Sequence, residues 1–308
     1  MSFDHILVIG FGGPRSREEI RPFLDEVARG VQIPQARLRE VERHYEQIGG
    51  SSPYHSYTLQ LIKKLNARLR ELKINLPLLL GMRNWRPFLK DTLIEIDKMG
   101  LENGIGIVLA PHRSDASFEK YVRSLDEAKK ITQADHVRYD YLKPWFDHPF
   151  FVKAQADQAR GVLTASTPDM RKKPHLLFTA HSIPLEMASA CRYADEFRKS
   201  SELVAKELGG LEWSIAYQSR SGAPKDPWLE PDVGSELKKI KRDGKETVLL
   251  VPIGFLCDNA EVLYDLDIEA RKTAEESGLR YLRARTVMDH PAFVEMFAEL
   301  IEEKLCGS

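Results

Sequence analysis

Eight short apolar runs, separated by stretches of helical period, constrain this chain more than any other feature. They lie at 5–9, 76–80, 105–110, 136–140, 175–180, 213–217, 247–253 and 280–284. Most are rich in Val, Ile and Leu and read as strands of a buried parallel sheet. Between them lie amphipathic segments such as YTLQLIKKLNARLREL, in which Leu61, Leu65, Leu69 and Leu72 recur at helical spacing. Strand alternating with helix means parallel βαβ units with right-handed crossovers. The runs divide four and four at YLKPWFDHPF, residues 141–150, where two prolines and a burst of aromatics interrupt the pattern. The expected fold is therefore α/β, with two Rossmann-like domains at 1–145 and 146–308, each a four-stranded parallel sheet flanked by helices. Ligands of such sheets sit beyond the carboxyl ends of the strands, so the chemistry should lie just after each run.

Several function classes fall away on composition. Lys and Arg (45) nearly balance Asp and Glu (46), so no global field recommends nucleic acid or an anionic membrane as partner. Cys191, Cys257 and Cys306 are far apart. They form no CxxC pair for a zinc knuckle and are too few for a four-thiolate iron–sulfur cluster. They read as free thiols of a reducing compartment. No basic region precedes the apolar stretch in MSFDHILVIGFGG, which is too short for a signal peptide. No run approaches the roughly 18 apolar residues of a membrane span. A cytoplasmic protein without a transmembrane segment is expected.

Polar clusters follow the strands. GFGGP, Gly10–Pro14, comes after the first; it lacks the full dinucleotide and P-loop spacings, and a tight turn is preferred over an anion site. PHRS (111–114) follows the third, His181-Ser182-Ile183-Pro184 the fifth, and Gln218-Ser219-Arg220-Ser221-Gly222 the sixth. After the seventh comes FLCDNAEVLYDLDIEA, with Asp258, Glu261, Asp265, Asp267 and Glu269. On a helix, Glu261, Asp265 and Glu269 fall at i, i+4 and i+8 and stack along one stripe. Like charges at that spacing repel, so local stability did not select them. A solvated helix face is the plain alternative, and a histidine capping a helix is the plain alternative for His181. Partly buried carboxylates in a row can instead bind a divalent cation or relay protons.

Taken together, several pieces resemble the ferrochelatase family over the whole chain. They are Phe11-Gly12-Gly13-Pro14; Tyr45 with Ile48-Gly49-Gly50 and Ser52-Pro53; Gly81-Met82-Arg83; and Ala180-His181-Ser182-Ile183-Pro184. Gln218-Ser219-Arg220 with Trp228-Leu229, and Pro252-Ile253-Gly254-Phe255 followed by Asp258 and Glu261, complete the set. The form is closest to short bacterial members, actinobacterial ones above all. The resemblance implies a chelatase-like pair of domains facing a cleft, and insertion of ferrous iron into a porphyrin for haem biosynthesis. It makes His181 and Glu261 the catalytic pair, and adds Asp265 and Glu269 to them as the metal line. Phe11, Arg29, His44, Tyr45, Ser52 and Tyr121 match porphyrin-binding positions; His44 stands where an arginine is common. One departure is Asn259, where the family usually has a histidine.

That pattern favours coproporphyrin III, giving coproheme, over protoporphyrin IX. The expected partners are porphyrin and ferrous iron, both as substrates. No tightly bound cofactor and no iron–sulfur cluster are expected. A monomer is expected, with transient contact with neighbouring haem-pathway enzymes. A non-catalytic porphyrin or haem carrier is the rival, but it has no need of a carboxylate row behind a histidine. The chemistry suits the residues: an entering divalent ion displaces two pyrrole protons, and imidazole, with an unperturbed pKa near 6.5, can take them near neutrality.

Overall fold

The computed structural model describes residues 2–30, 33–221 and 226–307. All eight expected strands form: His5–Gly10 (β1), Leu78–Met82 (β2), Asn103–Val108 (β3), Arg138–Tyr141 (β4), His175–His181 (β5), Trp213–Gln218 (β6), Thr247–Val251 (β7) and Arg280–Arg283 (β8). They make two four-stranded sheets ordered β2-β1-β3-β4 and β6-β5-β7-β8, and every pairing is parallel. In the first sheet Val8 lies between Leu80 and Ile107, and in the second Leu177 lies between Ser214 and Leu250. The central strands are apolar because helices cover both faces: Ile6, Leu7, Val8 and Ile9 are at most 1% exposed. Edge strand β4 instead alternates exposed and half-buried residues.

Two compact units result. One comprises Met1–Leu109, Ser117–Lys143 and Val294–Ser308; the other comprises Ala110–Ala116 and Pro144–Phe293. The sequence pattern keeps 146–308 together, whereas the structure counts residues from Val294 onward with the first unit. Within that unit the helix Pro291–Cys306 carries Glu295, whose carboxylate takes two hydrogen bonds from Arg68 at 2.7 and 2.8 Å. Such a return is non-local and leaves no local signal. Arg68 belongs to the helix Tyr54–Glu71, which buries Leu61, Leu65 and Leu69 as their spacing predicts, while Leu72 lies just past its end. Among the described residues no helix is long and apolar enough to cross a membrane.

Candidate active site

Each sheet has one place where the strand order reverses, and ligand crevices of doubly wound folds open there. In the second unit it lies at the carboxyl ends of β5 and β7. His181 ends β5 and pairs in register with Gln218, which ends β6. Beyond β7 the chain passes over β5. The Gly254 N–H donates to the Thr179 carbonyl at 3.0 Å, and a Cβ on Gly254 would stand 2.5 Å from the Ala180 Cβ. Only glycine allows this approach, which delivers the acidic segment beside His181.

The histidine is held on both sides. Its Nδ1 lies 2.5 Å from the Ser182 carbonyl; a carbonyl can only accept, so Nδ1 carries the proton and Nε2 keeps its lone pair in the neutral ring. Ser182 is itself fixed, its N–H on the Gln218 carbonyl at 2.8 Å and its hydroxyl on the Leu229 carbonyl at 2.9 Å. The Tyr193 hydroxyl donates to the His181 carbonyl at 2.8 Å, and burial raises the pKa of that phenol, keeping it a donor. Nε2 stands 3.8 Å from Glu261 Oε1, too far for a hydrogen bond, so both groups are open to a shared partner.

The acidic segment is helical, as expected, but residues Val262–Ala270 wind as a π-helix. Its wider i→i+5 turn is rare and is often found at functional sites. A four-residue step overshoots an α turn and falls short of this wider one, so the i, i+4, i+8 stripe survives the change. The same step buries Val262, Leu266 and Ala270 against the second unit's core. The acidic stripe thus runs one residue ahead of an apolar one. Glu261 and Asp265 are half-buried and Glu269 is exposed.

Asp265 carries a raised pKa. Burial pushes its carboxyl up; the Ser219 hydroxyl, which donates to Oδ2, opposes this, while Glu261 and Glu269 add to it, and the result is about 7. Ser219 holds a left-handed backbone at φ 60°, strain that a serine tolerates poorly and that is often stored at working sites. Asn259 has a plain role. Its side-chain oxygen accepts from the Val262 N–H at 3.0 Å, an N-cap for the acidic helix. Where the resemblance implies an imidazole, this chain caps a helix.

Not every strand-end cluster joins the site. His112 is buried, its ring 6.0 Å from that of Tyr193, with Nε2 3.1 Å from the Ser200 hydroxyl. Burial pushes its pKa down to about 3, so the ring stays neutral. Gly222 of the QSRSG motif lies outside the described residues.

The first unit offers a different set at the end of β1. Gly12 adopts φ +93° and a Cβ there would meet Trp85 at 2.9 Å, so the turn packs tightly on aromatics. The Phe11 N–H donates to the Tyr54 hydroxyl at 2.9 Å. Phe23 joins Phe11 and Tyr45, its ring centroid 6.3 Å from each. Ser52 is buried against Gly13, whose Cβ would stand 2.9 Å from that of Ser52. Tyr121 is buried. Arg29 is exposed and paired with Glu26, and His44 is half-buried, which lowers its pKa. The structure thus gathers Phe11, Tyr45 and Ser52, and leaves Arg29 outside that cluster.

Arg83 of the Gly81-Met82-Arg83 motif, to which the sequence assigns no role, adds to this set. Its N–H donates to the Gly10 carbonyl at 2.9 Å and its Nε to the Ser124 hydroxyl at 3.2 Å. Burial lowers its pKa, and the nearby Tyr121 and Glu127 only partly oppose that. Its position immediately after β2 was the available signal.

The family model described as ferrochelatase matches residues 4–305. The chain belongs to the ferrochelatase family. It is 37% identical to a ferrochelatase of Rhodopirellula baltica over 98% of this chain and 86% of that protein. It is 36% identical to the coproporphyrin III ferrochelatase of Mycolicibacterium smegmatis over 100% and 91%, and 37% identical to that of Mycobacterium tuberculosis over 100% and 88%. Among solved structures, SirB from Bacillus subtilis with ferric iron aligns at TM-score 0.59 and 13% identity, covering 98% of this chain and 96% of that one. CbiX aligns at 0.54 and 14%, covering 97% and 98%. At those identities the structures support the fold alone. Among the described residues of this ferrochelatase-family chain, no three His, Cys, Asp or Glu side chains gather as a ready-made cation cage.

Proposed function

We infer that the chain inserts ferrous iron into coproporphyrin III, releasing two protons and giving coproheme. Full-length relatives named for coproporphyrin III carry the choice of porphyrin, and one observation carries the chemistry: His181 Nε2 and Glu261 Oε1 stand 3.8 Å apart at the switch point. Each pyrrole N–H that meets the metal must give up its proton to a base. His181, its Nδ1–H fixed on a carbonyl, presents Nε2 for that task. Glu261 supplies a carboxylate beside it, and an imidazole with a carboxylate suits Fe(II), a borderline ion that takes N and O ligands.

Asp265 would receive protons next. With its pKa about 7, it binds and releases a proton near neutrality, and exposed Glu269 leads onward to solvent or admits hydrated iron. Iron is a substrate here, so a permanent cage is unnecessary. In the first unit, Tyr45, Ser52, Tyr121 and Arg83 are proposed to hold the porphyrin's carboxylates, with Arg83 the strongest donor set, and Phe11 to pack on the ring. Arg29 and His44 are proposed as outer carboxylate contacts. Binding should saddle the macrocycle to expose its nitrogen lone pairs, a strain of about 1–5 kcal/mol drawn from remote contacts. The three free cysteines fit turnover in the cytoplasm without a cluster.

The test is an anaerobic assay with purified protein and ferrous iron, following loss of free-base fluorescence with coproporphyrin III and with protoporphyrin IX. Faster turnover of coproporphyrin III is expected. Faster turnover of protoporphyrin IX would overturn the choice of substrate, and binding without metallation of either would make the protein a carrier.

A further inference from the structure

Two of the five acidic side chains in 255–270 stand outside the stripe, and the structure explains them together. Asp258 precedes the helix and Asp267 lies within its π segment; both bind Arg283, the last residue of β8. The guanidinium grips Asp267 in a fork, Nε to Oδ1 at 2.8 Å and Nη2 to Oδ2 at 2.6 Å. Nη1 donates to Asp258 Oδ1 at 2.6 Å and to the Ala284 carbonyl at 3.1 Å. Side-chain exposure is 11% for Arg283, 9% for Asp258 and 25% for Asp267. Burial opposes the charge on Arg283, and its bonds and attraction to the two aspartates outweigh that.

The same strand holds the π-helix a second time. The Tyr281 hydroxyl donates to the Leu266 carbonyl at 2.8 Å. Tyr281 and Arg283 are two apart on a strand and so share one face; they seize consecutive residues of the π-helix, 266 and 267. Residues two apart on a helix point to different sides. Gripping Asp267 on one side therefore fixes where Asp265 points on the other.

We propose that Arg283 is a positioning residue: through Asp258 and Asp267 it sets the register of the π-helix, and so aims Glu261 at His181 and Asp265 at Ser219. A planar fork is needed because it fixes direction as well as charge, which a lysine ammonium cannot do. The inference rests on the proposed use of the acidic stripe.

The test is steady-state kinetics of Arg283→Lys and Asp267→Asn, with ferrous iron and porphyrin varied separately and folding checked by circular dichroism. For Arg283→Lys, kcat/KM for iron is expected to fall roughly 10-fold or more, as outer-shell changes typically do, while KM for porphyrin stays within about 2-fold. A folded Arg283→Lys whose iron kinetics match the parent, with only its melting temperature lowered, overturns the proposal. Should Arg283→Lys fail to fold, Asp267→Asn decides: it keeps the Asp258 pair and loses the fork, so unchanged iron kinetics there overturn the proposal and a selective loss supports it. Asp265→Asn and Glu269→Gln separate the two readings. If they slow iron use and the Arg283 and Asp267 variants do not, only the positioning role fails. If the stripe variants have no effect, the stripe reading fails and the positioning role falls with it.

Discussion

The two units share a topology and differ in the residues beyond their strands. Both order their sheets with the first strand of each set between the second and third, so both place a switch point beyond neighbouring carboxyl ends. After β1 comes a glycine turn seated on Tyr54, Trp85 and Ser52, with Phe11, Tyr45 and Arg83 around it. At the ends of β5 and β7 stand an imidazole with one nitrogen fixed, a carboxylate 3.8 Å away and a half-buried acid whose pKa is raised to about 7. On the proposed reading, one scaffold carries a gripping site and a proton-handling site, and the residues at and beyond the strand ends decide which.

The sharpest way to break that contrast is through the glycines that shape each loop. Gly254→Ala puts a methyl 2.5 Å from the Ala180 Cβ and 2.6 Å from its Cα, backbone that is locked in β5. A loss of about 3 kcal/mol is expected, at the upper end of ordinary overpacking, together with most of the turnover, since Ala180 precedes His181. Gly13→Ala meets side chains alone, the small Ser52 at 2.9 Å and the Tyr54 Cβ at 3.4 Å, and should cost less. Thermal unfolding of the two variants checks the order; equal melting temperatures would remove the contrast.

A second prediction concerns Asp265. Its folded pKa, about 7, lies above the ordinary 3.8. Below pH ~4 both states are protonated; between about 4 and 7 the unfolded chain ionises first, so stability falls as pH rises, then levels off. Asp265→Asn removes that fall. Its advantage over the parent should grow from pH 4 to 7 and reach about 2 kcal/mol, less than the full ~1.4 kcal/mol per unit because the site is partly wet. Denaturant titrations at pH 4 and pH 8 measure it; a constant difference contradicts the assignment.

The smallest expected effect is at Asn259. Removing the cap in Asn259→Ala should cost about 1 kcal/mol, with little change in porphyrin affinity. Chemical unfolding reads the first quantity and fluorescence titration the second.

Much of this was legible in the sequence. Apolar run length revealed the strands, and the four-residue spacing of Glu261, Asp265 and Glu269 revealed a stripe whose buried counterpart is Val262, Leu266 and Ala270. The hidden features are non-local. Strand order depends on crossovers, the π winding is tied down by Tyr281 and Arg283 some fifteen residues downstream, and the helix from Pro291 is bound through Arg68. His112 belongs to a polar cluster at a strand end, and nothing local shows that Tyr193 and Phe197 enclose it. Asn259, by contrast, carried a readable capping signal: an Asn at the mouth of a helix.

The most direct test of the division of labour is to measure porphyrin affinity and kcat for iron insertion in His181→Ala and Tyr45→Phe side by side. His181→Ala should bind coproporphyrin III within about 2-fold of the parent and lose kcat by roughly 10²–10⁴-fold, the range of a general base. Tyr45→Phe should weaken binding and keep kcat largely intact. Full turnover in His181→Ala would contradict the account.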